Sequence, residues 1–238
     1  MPDTPELLLV GAITVVAAFV QTSSGVGFAM VSVPLLALVD VAYLPAPMLM
    51  ASLLLSTLMS AGSRRHVVPA EMRVLLPWTC VGVVLGALAL RSLPVERLGL
   101  VFGLLVLAGL AVSVLAPRVP LRPATLGPTG FASGFMGTVA GLHGPPLAAL
   151  YGREDPEKAR ATIALVFTLG YAASLIALWL AGLLDARRAL LGVALAPGTV
   201  LGFLAARGAR RWIAPALARG AMLAIASTSA LLLVVRSL

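Results

Sequence analysis

The sequence predicts an all-α, polytopic integral membrane protein built as two inverted repeats. The first observation is composition. Of 238 residues, 60% are hydrophobic and 11% charged, with a mean hydropathy of +1.05. Soluble domains carry about 25% charged residues, and a soluble core of this size could not hide so much apolar surface. The second is a pair of charge-free runs, Leu7–Val39 (33 residues) and Pro123–Gly152 (30 residues). Each exceeds the roughly 20 residues of one membrane helix, and each is interrupted by a polar, glycine-rich patch. The third is an internal match. At an offset of 112, Phe19, Gly25, Pro34 and Leu35 fall on Phe131, Gly137, Pro146 and Leu147. At 116, Gly82, Gly86 and Arg91 fall on Gly198, Gly202 and Arg207, which fits a repeat with a short insertion.

The segments follow in order from the charge-free runs. Segments 1 and 2 cover Leu7–Gln21 and Gly25–Val39, divided by the first patch. Segments 3, 4 and 5 cover Pro45–Ala61, Val74–Leu90 and Leu98–Ala116. Segments 6 and 7, divided by the second patch, cover Ala124–Ala140 and Leu142–Tyr151. Segments 8, 9 and 10 cover Ala161–Leu184, Ala189–Ala206 and Gly220–Val235. Residues 1–116 form the first repeat and 117–238 the second, joined by the linker Pro117–Pro123. Each repeat is a broken or re-entrant helix pair plus three transmembrane helices. The number of crossings per repeat is odd either way, so the halves point in opposite directions, as in many secondary transporters.

Smaller signals fill in the frame. Asp3 and Glu6 stand where a cleavable signal would carry Lys or Arg, so the first helix is expected to be retained. Cys80 stands alone, which excludes an internal disulfide and a cysteine metal cluster; a buried thiol is expected. Trp78, Trp179 and Trp212 fall near segment ends, as interfacial anchors do. Gly82-x-x-x-Gly86 and Gly198-x-x-x-Gly202 suit close helix approach. The loop Gly152–Arg160 reads as a solvated cap to segment 8.

The net charge of +8 does not indicate nucleic acid, because the basic residues punctuate the ends of apolar runs. One side collects Arg64, Arg65, Arg73, Arg118, Arg122, Arg153, Lys158, Arg160, Arg207, Arg210, Arg211 and Arg219. The other collects Arg91, Arg97, Arg187, Arg188 and Arg236. By the positive-inside rule the first side is cytoplasmic and both termini face the periplasm. The same count is expected to put both ends of each broken pair on the outer side, with the break reaching inward.

The two patches carry the candidate site: Gln21, Thr22, Ser23, Ser24, Gly25 and Gly27 in the first, and Ser133, Gly137, Gly141, His143, Gly144 and Pro145 in the second. Thr138 adds a further hydroxyl. A helix that begins inside the membrane leaves N–H groups unpaired and partly positive. Two such ends facing each other suit an anion near the midplane, supplemented by neutral hydroxyl and amide donors. His143, at membrane depth, has three open readings: substrate contact, proton shuttle, or one structural hydrogen bond. No Asp or Glu lies deep in a segment; Asp40 and Asp185 stand at segment ends. Carboxylate-based cation or proton coupling has no obvious carrier. An anion leaving a negative interior needs none, gaining about 2.3 kcal/mol per charge per 100 mV.

Gly25–Leu36, G-V-G-F-A-M-V-S-V-P-L-L, resembles the pattern G-x-G-G-G-x-x-x-x-P-x-L, and Gly137–Tyr151, G-T-V-A-G-L-H-G-P-P-L-A-A-L-Y, resembles its copy G-x-x-G-G-P-P. Both patterns belong to the sulfite exporter TauE/SafE family of membrane transporters. Phe28 and Ala29 replace glycines of the first pattern and His143 one of the second. The resemblance covers essentially the whole chain. It implies export of sulfite, or of an organosulfonate such as sulfoacetate, across a bacterial inner membrane.

The expected protein is therefore a secondary transporter exporting a small sulfur-containing anion by alternating access, one repeat rocking against the other. An anion channel, or a transporter of another small anion, is the alternative. A membrane-embedded enzyme is disfavoured, because one intramembrane histidine, one cysteine and no deep carboxylate make a poor catalytic set. The expected partners are the small anion and the lipid bilayer, with no nucleic acid, metal or cofactor; a homodimer stays open. Gly25, Gly27, His143 and Gly144 are expected to gather near mid-membrane.

Overall fold

A computed structural model describes residues 3–60, 66–115, 119–209 and 215–238. The protein is all-helical, and its ten α-helices among the described residues follow the ten expected segments. They are α1 (Thr4–Ser24), α2 (Phe28–Val39), α3 (Ala46–Ser60), α4 (Pro69–Ser92) and α5 (Val95–Leu115). The second half gives α6 (Pro123–Ala140), α7 (Gly144–Tyr151), α8 (Pro156–Leu180), α9 (Ala186–Ala209) and α10 (Pro215–Ser237). Six of these, α1, α4, α5, α8, α9 and α10, contain stretches long and apolar enough to cross a membrane. This is a multi-pass membrane protein. Arg64, Arg65, Arg118, Arg210, Arg211 and Trp212, and the start of the linker, lie outside the described residues.

The two patches fold as the tips of helical hairpins. α1 ends at Gly25 (φ 89°) and α6 at Gly141 (φ 68°). Left-handed backbone costs any residue with a Cβ, so glycine closes both helices. Each glycine N–H bonds back into the last turn, Gly25 to Gln21 O (2.7 Å) and Gly141 to Gly137 O (2.8 Å). The chain then reverses. At the base of the first hairpin, the Tyr43 hydroxyl donates to Glu6 Oε1 (2.9 Å). Burial, and then that carboxylate, push the Tyr43 hydroxyl well above its usual range, so it stays a donor. At the base of the second, Val119 N–H donates to Ala149 O (3.1 Å). Both patches are thus the turns of helical hairpins, with Gly27, Gly141 and Gly144 buried in the core.

The hairpins enter from opposite ends of the bundle, which corrects the expectation that both have outer-side bases. α10 is the ruler. Near its C-terminus, Arg236 Nη1 donates to Leu38 O at the end of α2 (3.2 Å). Near its N-terminus, Arg219 Nη2 donates to Ser113 O of α5 (2.8 Å), and both residues line a cavity with Tyr151, the last residue of α7. A helix of this length spans about 34 Å. The basic residues agree with this: Arg122 and Arg153 flank the second hairpin on the side counted as cytoplasmic, whereas Asp3, Glu6 and Asp40 flank the first.

The helix boundaries also align at an offset of 116. Gly25 matches Gly141 there, as do the starts of α2 and α7, Phe28 and Gly144. The hairpin turns therefore share the offset of the Gly82/Gly198 pair, beside the offset of 112 at which residue identities match.

Packing crosses the halves. A Cβ on Gly82 would overlap Phe131 O of α6, and one on Gly134 would overlap Thr79 O of α4. Farther along, Gly86 faces Phe135 O and the Thr138 Cβ, each 3.0 Å from such an atom. α4 and α6 therefore run parallel, backbone against backbone, as small residues allow in a membrane. α9 treats α1 the same way: a Cβ on Gly198 would meet Gly11 O (2.6 Å), and one on Gly202 would overlap Val15 O. α5 and α10 lie antiparallel, Gly99 facing Leu233 and Ser237, and Gly103 facing Ala230 and Val234.

The same packing overturns the buried reading of Cys80, which is exposed. Leu75, Thr79, Gly82, Val83 and Gly86 are the buried stripe of α4, and one residue beyond Thr79 turns Cys80 about 100° away. Trp78 lies inside α4 rather than at its end, because α4 begins at Pro69 and not at Val74. Its indole covers Gly127 of α6. Trp179 sits at the end of α8, as expected.

Candidate functional site

The two hairpin tips meet. A Cβ built on Gly144 lies 3.4 Å from the Val26 Cβ. Between the tips is a small cavity of about 10 Å³, lined by buried residues, with room for about one water. Gln21, Gly27, Gly141, Gly144 and Pro145 line it, together with Ala29, Met30 and Leu142. Two aromatic residues of α8, Phe167 and Tyr171, complete the wall.

Gln21 is buried and specific in its job. Its Oε1 accepts the N–H of Phe28, the first residue of α2, at 2.9 Å. A helix that starts inside the core has four N–H groups to satisfy; Gln21 satisfies one, and Ala29 and Met30, next in that turn, face the cavity. Ser24 turns back on the tip, its hydroxyl within 2.8 Å of Val20 O and 2.6 Å of Val26 O. The Thr22 hydroxyl is buried with no hydrogen-bond partner among the described residues, and Ser23 is partly exposed.

The second tip is built differently. α7 opens Gly144-Pro145-Pro146, and two prolines remove two of the first-turn donors. The two helix starts therefore differ: α2 offers more first-turn N–H groups than α7, whose Pro145 and Pro146 have none. The second tip is instead tied to α8, where the Tyr171 hydroxyl donates to Gly141 O (3.1 Å). One turn below, the Thr138 and Ser174 hydroxyls are 2.8 Å apart.

His143 stands at the tip, but its ring folds away from the cavity. It is fully buried between Gly137 of α6 and Gly170 of α8, where a Cβ on either glycine would crowd the ring. Its Nδ1 is 3.2 Å from Ser133 Oγ, which also lies 3.1 Å from the His143 carbonyl oxygen. Tyr171 meets the ring edge-on, with centroids 4.6 Å apart. Nε2 has no hydrogen-bond partner among the described residues. Of the three readings, this geometry favours the structural bond.

The register of 116 explains the exchange. Gln21 corresponds to Gly137, and Gly27 to His143. In the first hairpin the Gln21 side chain on the arm reaches forward to the Phe28 N–H. In the second a ring on the tip folds back over an arm glycine. The first group lines the cavity between the tips, and the second packs behind it.

The expected residues thus divide. Gln21, Gly27, Gly141, Gly144 and Pro145 share the tip cavity; Ser133, Gly137 and His143 form a packed polar spot behind it. Ser24 and Gly25 face a second, larger cavity of about 470 Å³, which opens at the end of the bundle holding the end of α5 and the starts of α8 and α10. Val26 also lines this vestibule and touches the tip cavity through Gly144. Met222 does the same through Gly27, so these two side chains form the partition. Arg160 and Arg219 stand on the vestibule wall. Sequence reasoning missed Phe167, Tyr171, Met222 and the two arginines. A tyrosine in the middle of an apolar segment was the available signal for Tyr171.

The profile of the family described as Sulfite exporter TauE/SafE matches residues 10–233. The chain belongs to the TauE/SafE family. Comparison with curated proteins returns no match, and neither does comparison with solved structures. Family membership gives the class of activity, a sulfite-exporter-type membrane transporter. Both TauE/SafE motifs fall on the hairpin tips, and the carboxylates Asp40 and Asp185 sit outside them as end caps. Asp40 Oδ1 accepts from Ala42 N–H (2.8 Å), and Asp185 Oδ1 from Arg188 N–H (2.7 Å).

Proposed function

We propose that this TauE/SafE protein exports a small sulfur-containing anion, an organosulfonate such as sulfoacetate or sulfite itself, across a bacterial inner membrane by alternating access. The observation that carries the reading is the meeting of two oppositely directed helical hairpins, Val26 against Gly144, in a core lined by neutral groups. Residues 1–116 and 117–238 are the inverted repeats, supported by the common offset of 116 and by the antiparallel pair α5 and α10. The basic end is cytoplasmic and both termini are periplasmic. The vestibule then opens to the cytoplasm while the tips close the path above it. The anion contacts Gln21, Gly27, Ala29, Met30 and Gly144 after the partition yields, while Ser24 and Gly25 meet it first.

The moving parts differ from a simple rocking of halves. α4 is held backbone to backbone on α6, and α1 on α9, so sliding one repeat past the other would tear both contacts. The pairs α1–α9 and α4–α6 move as rigid units, carrying one hairpin tip each.

The test is flux in proteoliposomes. Sulfite or sulfoacetate efflux should saturate and should accelerate when the same anion is present on the far side. Conductive flux that never saturates would establish the channel instead. Absence of flux for both anions, with flux for acetate or phosphate, would replace the substrate.

A further inference from the structure

We propose that the vestibule is a docking site for small dianions, held between Arg160 and Arg219 before they reach the hairpin tips. This deepens the transport reading above and rests on it for direction of travel, though not for binding. The cavity of about 470 Å³ falls within the range of small-molecule sites, about 300–1,000 Å³. Its wall carries two guanidiniums and, among the described residues, no carboxylate. Nearby carboxylates have other partners. Glu71 and Glu154 both hold Lys158 Nζ, at 2.7 and 2.8 Å. Asp155 caps α8 through the N–H groups of Glu157 and Lys158, and Glu157 faces His66 at 3.2 Å. Arg219 is oriented by its bond to Ser113 O, which uses one of five N–H donors. Guanidinium stays charged at any physiological pH, so the wall holds its charge throughout. A cleft lined by one sign concentrates the opposite ion. Arg73, Arg153 and Arg207 belong to the same end of the bundle but do not line the cavity.

Two cations on one wall discriminate by charge number. A monoanion engages one guanidinium; an anion with two separated acidic groups engages both, each through charge-assisted bonds. A sulfonate joined to a carboxylate by a short carbon link is such an ion.

The experiment uses the purified full chain, with sulfoacetate and methanesulfonate as dianionic and monoanionic probes. Calorimetry should give sulfoacetate binding about tenfold tighter than methanesulfonate, the worth of one charge-assisted contact. Arg160→Gln and Arg219→Gln should each remove most of that preference, Arg219→Lys should retain part of it, and Arg73→Gln should leave it unchanged. In proteoliposomes the same variants should weaken competition by sulfoacetate against labelled sulfite in the same order. Equal affinity for the two probes, or a preference that survives the double variant, would overturn the proposal. Arginine-dependent binding without any flux would uphold it and instead count against the transport reading.

Discussion

Replacing Gln21 by leucine would keep the size of a buried side chain and leave the buried Phe28 N–H without its acceptor. An orphaned buried donor costs about 1–3 kcal/mol. Gln21→Leu should therefore lower the unfolding temperature in detergent and impair anion flux, whereas Ser23→Ala should leave the unfolding temperature near wild type. His143 and Gly137 offer a sharper residue-scale test. Gly137→Ala drives a methyl into the imidazole ring and should destabilise by about 1–3 kcal/mol. In a His143→Ala background the same change has room. The double-mutant cycle should show a coupling of about 1–2 kcal/mol, and an additive result would mean that the ring does not sit over Gly137. The imidazole was legible in the sequence as an oddity at membrane depth. Its direction was not, because the ring turns on which glycine, ahead or behind, leaves space.

Helix pairs carry the next level of organisation. The contact of α4 with α6 is lined by Gly82, Gly86, Gly130 and Gly134, and Gly134→Ala would force a methyl onto Thr79 O. Neither backbone can give as a flexible side chain would, so thermal stability should fall by about 1–3 kcal/mol. Gly208→Ala, with open space around it, should be neutral. The hairpins themselves are tested by cross-linking. The Val26 Cβ and a Cβ placed on Gly144 lie 3.4 Å apart, close to the roughly 3.8 Å of natural disulfides. Val26→Cys with Gly144→Cys, in a Cys80→Ser background, should oxidise readily, stop flux, and recover with reductant. Failure to cross-link would place the tips apart. The glycine spacings announced close helix contacts without naming the partners. A small-xxx-small face is the same whichever helix covers it, and only the fold assigned α6 to the first pair and α1 to the second.

For the whole molecule, orientation is the open measurement. Cysteines introduced at Asp3 and Leu238 should react with an impermeant maleimide added to intact cells, and one at Arg153 should react only after permeabilisation. The reverse pattern would turn the vestibule toward the periplasm. Helix directions group the described basic residues as the segment order suggested, with Arg73, Arg122, Arg153, Lys158, Arg160, Arg207 and Arg219 at the vestibule end. Within that group the fold separates roles. Lys158 joins Glu71 and Glu154 in a partly shielded cluster that ties α4 to α8, and the Tyr151 hydroxyl joins it at Glu71 Oε2 (2.7 Å). The loop that reads as a plain solvated cap thus also braces the base of the second hairpin.

By itself the sequence determined the membrane class, the ten helical segments, the two helix-breaking patches and the residues at their tips. These depend on local quantities: the length of apolar runs, the position of charges, and the left-handed turns that glycine permits. The helix pairings, the direction of the His143 ring, the meeting of the tips and the arginine-lined vestibule came from tertiary structure alone. Each depends on which surfaces face each other across the bundle, and in a chain this uniformly apolar, hydrophobic pattern does not distinguish one facing helix from another.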